Sequence, residues 1–292
     1  MEVTFGHAGV LLAGSLTVPG RDVPGVVMVG GSGPTDRHND RYFPPIRRHL
    51  VDAGIAVLSY DKRGVGASSG DWRDATLDDL AADASAALEL LRAQAGVRPG
   101  AVGLFGHSEG GWVVLRVAAG RDDVPWVITN SGPATTPAVQ ERHALANIVR
   151  QDVDRALAAY DRIVEAGRRD GDFAETKRIA ADAGRSFTED YWSTVDEHTW
   201  EFLKRKQDHD PLPDVRRLRC PHLAIFGGAD ELVPVADSVR LFSAAACHRD
   251  HLAPLTVEVF PGADHRLHTG DGLAPGYLAT LARWISREDA TS

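Results

Sequence analysis

The sequence predicts an α/β protein: a mostly parallel sheet of eight strands, helices on both faces, and a helical cap inserted after the sixth strand. Three observations lead there. Short continuous apolar runs alternate with amphipathic, helix-like segments, as in a parallel sheet covered on both sides. Between Pro133 and Leu218 that alternation stops, no strand-like run occurs, and charge is dense. It resumes at His222 and continues through the last strand-like run. Residues 1–132 and 219–292 are therefore expected to form one core, and residues 133–218 a helical cap.

Val3-Thr4-Phe5 and Leu11 to Val18 read as two strands joined by a glycine turn, an antiparallel start to the sheet. Val26 to Val29 is a buried strand that runs into Gly30-Gly31-Ser32-Gly33-Pro34, and a helix is expected from Pro45 to Ala53. Ile55 to Tyr60 is the next buried strand, ending in Asp61-Lys62-Arg63-Gly64-Val65-Gly66. Thr76 is an N-cap with Asp79 three residues on, an acidic form of the capping box. Leu77, Leu80, Ala84, Leu88 and Leu91 then recur at helical spacing.

Ala101 to Phe105 and Val124 to Thr129 are further strands, with a helix-like run from Gly111 to Ala119 between them. Inside the insertion, Leu145, Val149, Val153, Leu157, Tyr160 and Val164 predict one amphipathic helix, and Tyr191, Val195, His198 and Phe202 repeat its spacing. At about 85 residues the segment is too long for a bare loop. Two more strands, His222 to Phe226 and Leu255 to Phe260, precede a final helix expected over Leu273 to Ile285.

Composition narrows the function. Net charge is -9 over 292 residues, which disfavours nucleic acid and anionic membranes, since both need a basic surface. No apolar run approaches the roughly 20 residues of a membrane span, and no signal peptide is recognisable. Two cysteines, Cys220 and Cys247, are too few for a disulfide framework and fit a reducing, cytoplasmic setting. A homodimer is compatible with all of this.

The chemistry centres on Gly106-His107-Ser108-Glu109-Gly110, set between a strand and a helix. Gly-x-Ser-x-Gly in that context is a nucleophile elbow, a sharp turn that holds a serine hydroxyl at a helix N-terminus. A serine nucleophile needs a histidine base, an acid to orient that histidine, and donors for the oxyanion. Asp230 follows one late strand and His265 the next, at the C-terminal ends where working residues of such sheets lie. Their chain order, Ser108, Asp230, His265, is the one expected with this elbow. The oxyanion donors are the Glu109 backbone N–H and a second from the glycine loop, with Ser32 preferred and Gly31 next.

Taken together, the loop Gly30 to Arg37, the run Ser59 to Gly66 and Gly106 to Gly111 resemble serine hydrolases of the α/β-hydrolase superfamily. Within it they are similar to bacterial esterases of the branch related to dienelactone hydrolases and the acyl-CoA thioesterase C-terminal domain. The resemblance covers the core and not the insertion. Two departures matter: the His-Gly common at the start of the oxyanion loop is Gly30-Gly31 here, and the insertion between the sixth and seventh strands, where a cap normally sits, suggests no particular acyl group.

Other residues admit more than one role. Asp264 or Glu231 could stand in for Asp230. His107 and Glu109 are read as lining or buttressing the site, and Asp61 and Arg63 as an ion pair that fixes their loop. His107, Tyr191, Trp192 and Trp200 are the candidates for substrate binding, although the three aromatic residues could equally be the cap's own core. Cys247, His248 and His251, and His265 with His268, have metal-compatible spacing but lack completing ligands, so neither a metal nor another cofactor is expected. The expected partner is a small-molecule ester, cleaved through an acyl-enzyme. The alternatives are a thioesterase or aminopeptidase using the same residues, and a catalytically silent receptor on the same fold.

Overall fold

Two antiparallel strands, β1 (Glu2–His7) and β2 (Val10–Thr17), open the chain, turning through Ala8 and Gly9, both at positive φ. The computed structural model describes residues 1–291, and the side chains of all but residues 186, 190 and 288–291 among them. The chain continues through β3 (Val23–Val29), α1 (Phe43–Asp52), β4 (Ala56–Tyr60), α2 (Leu77–Arg92), β5 (Val97–His107), α3 (Glu109–Ala119) and β6 (Val127–Asn130).

Five helices follow, α4 (Pro137–Ile148), α5 (Val153–Arg168), α6 (Phe173–Asp182), α7 (Arg185–Asp190) and α8 (Glu197–Lys206), and then α9 (Leu212–Arg217). The sheet is completed by β7 (His222–Gly227) and β8 (Leu255–Phe260), with α10 (Val235–Ala246) between them. A two-stranded hairpin, β9 (His268–Thr269) and β10 (Gly272–Leu273), leads into α11 (Tyr277–Thr291).

The eight-stranded sheet has the order β1-β2-β4-β3-β5-β6-β7-β8. β2 runs antiparallel to β1 and β4, and every pair from β4 to β8 is parallel. This is the α/β-hydrolase fold. Successive residues of a strand point to opposite faces, and the apolar runs therefore feed two cores. Val27, Val29 and Leu58 pack with α2, α3 and α10 on one face. Val26, Met28 and Val57 pack with α1 and α11 on the other. A third cluster, including Leu145, Tyr160, Ile163, Phe187, Trp192 and Trp200, belongs to the inserted helices alone. Val215 of α9 joins the main core instead. Among the described residues no helix is long and apolar enough to cross a membrane.

Several boundaries differ from the sequence reading: β5 starts at Val97 rather than Ala101 and β6 at Val127 rather than Val124. The single helix expected over Leu145 to Val164 is two, broken where Asp152 adopts a left-handed φ of 51°. The repeat from Tyr191 to Phe202 is likewise split, into a 3-10 turn over Trp192–Thr194 and α8. The last helix starts at Tyr277 rather than Leu273, because Leu273 pairs in the hairpin and Gly276 turns at φ +85°.

Candidate active site

β5 delivers the chain to Ser108, which sits at φ 54°, ψ -121° at the N-terminus of α3. A non-glycine residue there carries strain of order 1–3 kcal/mol that its surroundings must impose. They do so by crowding. A Cβ on Gly106 would lie 2.1 Å from the Gly110 carbonyl oxygen, and one on Gly110 would lie 2.5 Å from that of Val29. The Ser108 N–H donates to Asn130 O at 2.9 Å, and Gly111 N–H donates to Ser108 O at 2.8 Å. The serine is partly exposed.

Asp230 follows β7 and His265 follows β8, and the two meet: His265 Nδ1 lies 2.8 Å from Asp230 Oδ2. The other carboxylate oxygen accepts the N–H groups of Leu232 (2.8 Å) and Val233 (3.0 Å). With Nδ1–H donated to the carboxylate, the lone pair of His265 is on Nε2. Asp264 instead caps its own loop through the N–H groups of Arg266 and His268, and Glu231 is exposed.

The His265 ring lies 5.0 Å from that of His107, the residue before the serine. Ser108 Oγ makes no hydrogen bond among the described residues, so the histidine–carboxylate pair is formed while the serine–histidine bond is not. Such bonds are commonly long without substrate and tighten in its complex.

His107 is buried rather than presented to a substrate. Asn39 Nδ2 contacts its Nδ1 at 2.9 Å, its Nε2 is 3.4 Å from the His265 carbonyl oxygen, and Tyr42 packs on its ring at 4.8 Å. Burial holds it well below the usual histidine range, and it stays neutral. Its surroundings make it a prop for the His265 loop. Tyr42, Asn130 and Tyr277 form a closed buried hydrogen-bond network beside it, with contacts of 2.8 to 3.0 Å.

Gly31 is the glycine-loop residue pressed on the elbow, since a Cβ there would stand 3.3 Å from both Ser108 Cβ and His107 Nδ1. Its N–H is engaged in a long 3.5 Å bond to Asn39 Oδ1. The Ser32 N–H has no protein acceptor among the described residues. Nor has that of Glu109, a first-turn N–H of α3 with no partner inside the helix.

The buried Glu109 side chain meets Lys62 Nζ at 2.9 Å and Lys206 Nζ of α8 at 2.6 Å, and accepts the Ser32 hydroxyl at 3.3 Å. Burial alone would raise its carboxyl, but the two ammonium groups hold it down at about 2. Lys62 Nζ also donates to the Gly31 carbonyl. Asn39, Lys62 and Lys206 carried no sequence signal of their own beyond Lys62 standing at a strand end.

The aromatic candidates fall elsewhere. Trp192 and Trp200 are buried against each other and Phe187, Trp200 Nε1 donates to Gly171 O, and Tyr191 Oη donates to Glu141. The cavity they line holds only about 30 Å³, too small for an acyl chain. They belong to the core of the insertion, packed with Tyr160, Ile163 and Phe187. A larger cavity of about 380 Å³ opens between α8 and the core, lined by Glu109, Trp112, Arg116, Phe202, Lys206 and His209 among others.

Asp61 and Arg63 do not pair with each other: Arg37 holds Asp61 at 2.7 Å, and Asp83 holds Arg63 at 2.9 Å. The histidines with metal-like spacing are separately engaged, His248 with Ala244 O and His251 with Arg219. Asp71, Asp74 and His198 cluster at the edge of the insertion, where Arg73 already neutralises Asp71 at 2.7 Å.

Residues 26–271 match the family model described as serine aminopeptidase, S33. The chain belongs to this family. It has curated relatives at modest identity. One is a non-heme haloperoxidase of Rhodococcus erythropolis, 26% identical over 229 residues, covering 75% of this chain and 79% of that one.

Among solved structures, the α/β hydrolase GrgF from Penicillium sp. sh18 superposes with a TM-score of 0.69 at 20% identity, covering 99% of both chains. An esterase of Pyrococcus furiosus superposes at 0.62 and 17% identity, covering all of this chain and 89% of the other. At such identities the structural matches establish the fold, and the S33 family model makes the chain a hydrolase.

Proposed function

We propose that this hydrolase cleaves carboxylic esters of small to medium size through an acyl-enzyme on Ser108. The observation that carries the reading is the 2.8 Å bond between His265 Nδ1 and Asp230 Oδ2, beside a strained serine at a helix N-terminus. In this reading Ser108 Oγ attacks the ester carbonyl carbon while His265 Nε2 takes its proton, and Asp230 keeps the imidazole in the required tautomer. The N–H groups of Ser32 and Glu109 donate to the oxyanion, completing an oxyanion hole.

Collapse of the tetrahedral intermediate expels the alcohol with the proton from His265. Water then repeats the sequence on the acyl-serine, regenerating the enzyme and releasing the acid. The inserted helices act as a cap over this site. The likeness of the glycine loop and elbow to esterases of the dienelactone-hydrolase branch supports the same choice of bond.

An aminopeptidase would need a carboxylate in the cap to receive the substrate ammonium. Of the candidates Glu141, Asp152 and Glu189, Glu141 is tied to Tyr191 and Glu189 to Arg185, while Asp152 is exposed at the start of α5, so two of the three are already engaged. The test is a panel of nitrophenyl esters, thioesters and aminoacyl arylamides on wild type and Ser108→Ala, with fluorophosphonate labelling. Esters should be cleaved fastest, and Ser108→Ala should lose both labelling and ~10⁴-fold or more of the rate. Full activity in Ser108→Ala would overturn the reading.

A further inference from the structure

The geometry points to Lys62 as a positioning residue that aims both oxyanion donors at once, with Lys206 of the cap completing its charge cluster. The inference rests on the serine-hydrolase reading above. Lys62 Nζ donates to the Gly31 carbonyl and lies 2.9 Å from Glu109 Oε1. The Gly31 carbonyl and the Ser32 N–H belong to one planar peptide unit and point in opposite directions. Gripping the oxygen therefore fixes where the N–H points, and a cationic donor on the oxygen also makes the N–H a stronger donor.

Through Glu109 the same ammonium holds the side chain of the residue that supplies the second N–H. Ser32 Oγ closes the ring with a 3.3 Å bond to Glu109 Oε2. Thus one buried lysine spans the two segments that must converge on a single substrate oxygen.

Charge supports the same conclusion. Lys62, Lys206 and Glu109 sum to one net positive charge beside the serine, almost wholly removed from water: their side chains are 8%, 13% and 1% exposed. A fixed positive charge there favours a developing oxyanion over a neutral ester. Burial costs Lys62 some of its basicity, and Glu109 offsets part of that cost. Lys206 reaches Glu109 from α8 at 2.6 Å, so the alignment depends on the cap being seated.

The experiment compares Lys62→Met, the double variant Lys62→Met/Glu109→Gln and Lys206→Met on a small nitrophenyl ester. It also measures inhibition by a trifluoromethyl ketone, which forms an oxyanion on the serine, and by its methyl ketone counterpart, which binds without reacting. Lys62→Met should lower kcat ~10²-fold with KM changed less than about threefold, the loss typical of one impaired oxyanion donor. Trifluoromethyl ketone affinity should fall in proportion, methyl ketone affinity should hold, and Lys206→Met should lose about tenfold in kcat.

The double variant removes one buried charge of each sign and carries the test if Lys62→Met does not fold. A kcat within threefold of wild type in the folded variant, or an equal fall in both inhibitor affinities, would overturn the inference. Ser108→Ala, run alongside, separates the two levels. If it stays active, the hydrolase reading fails; if it is inert while Lys62→Met keeps full rate, only the role of Lys62 fails.

Discussion

Asp230 divides its carboxylate between two tasks. Oδ2 faces His265 Nδ1, while Oδ1 ties the turn through the N–H groups of Leu232 and Val233. The two can be separated. Asp230→Asn keeps an oxygen for the turn but offers His265 an N–H, which forces the wrong tautomer; kcat should fall ~10⁴-fold with little change in thermal midpoint. Asp230→Ala should lose the midpoint as well, and paired kinetic and melting measurements distinguish the cases.

Glu109 supplies a second residue-scale prediction. Its carboxyl is held at about 2 in the folded protein against an ordinary 4.5. The unfolded chain therefore takes up this proton first as pH falls. The stabilisation is complete above pH 4.5 and lost between there and pH 2. Urea titrations over that range should show a shallower acid decline in Glu109→Gln than in wild type.

The positions of Ser108, Asp230 and His265 at the ends of strands were legible because each follows a buried strand within a glycine-marked loop, a purely local pattern. Lys206 was not, because Lys204-Arg205-Lys206 reads as a solvated helix face and only the fold sends Lys206 to Glu109 while Lys204 pairs with Asp170 and Glu201. The same limit left Tyr191, Trp192 and Trp200 undivided between pocket wall and core. Aromatic residues at helical spacing look alike whether they wall a pocket or fill a core.

At the scale of elements, the turn from β5 into α3 is the most constrained. A Cβ at Gly106 would meet backbone at 2.1 Å, not the end of a movable side chain. Gly106→Ala should therefore destabilise by more than about 3 kcal/mol or abolish soluble expression, read by denaturant unfolding.

The N-terminus of α2 behaves as its sequence indicated. Thr76 Oγ1 accepts from Asp79 N–H at 3.1 Å while Asp79 accepts from Thr76 N–H at 2.8 Å. Removing that cap in Thr76→Ala should cost about 1 kcal/mol in a urea melt. By contrast, the break between α4 and α5 was invisible in the apolar periodicity. The gap from Val149 to Asp152 spans about one helical turn, so the repeat stays in phase across it.

At the scale of the molecule, the parallel sheet buries a histidine where no proton can reach it cheaply. His222 on β7 contacts Thr129 Oγ1 at 2.9 Å, and burial pushes it down to about 3. The unfolded chain binds that proton near pH 6.5, the folded one only near 3. Stability from this group is thus whole above pH 6.5 and declines as pH falls. Between pH 6.5 and 4 the loss should be about 3 kcal/mol, and unfolding titrations of His222→Gln should lack it.

The insertion leaves after β6 and returns at β7, and these strands are immediate neighbours paired Val127↔His222. The detour therefore stands with both feet on adjacent rails of the sheet. A lineage could trade the whole superstructure for another without shifting any strand's register. What could not be traded freely is the ammonium that α8 lowers onto Glu109. A replacement roof would have to bring its own counter-charge or leave a buried carboxylate half answered.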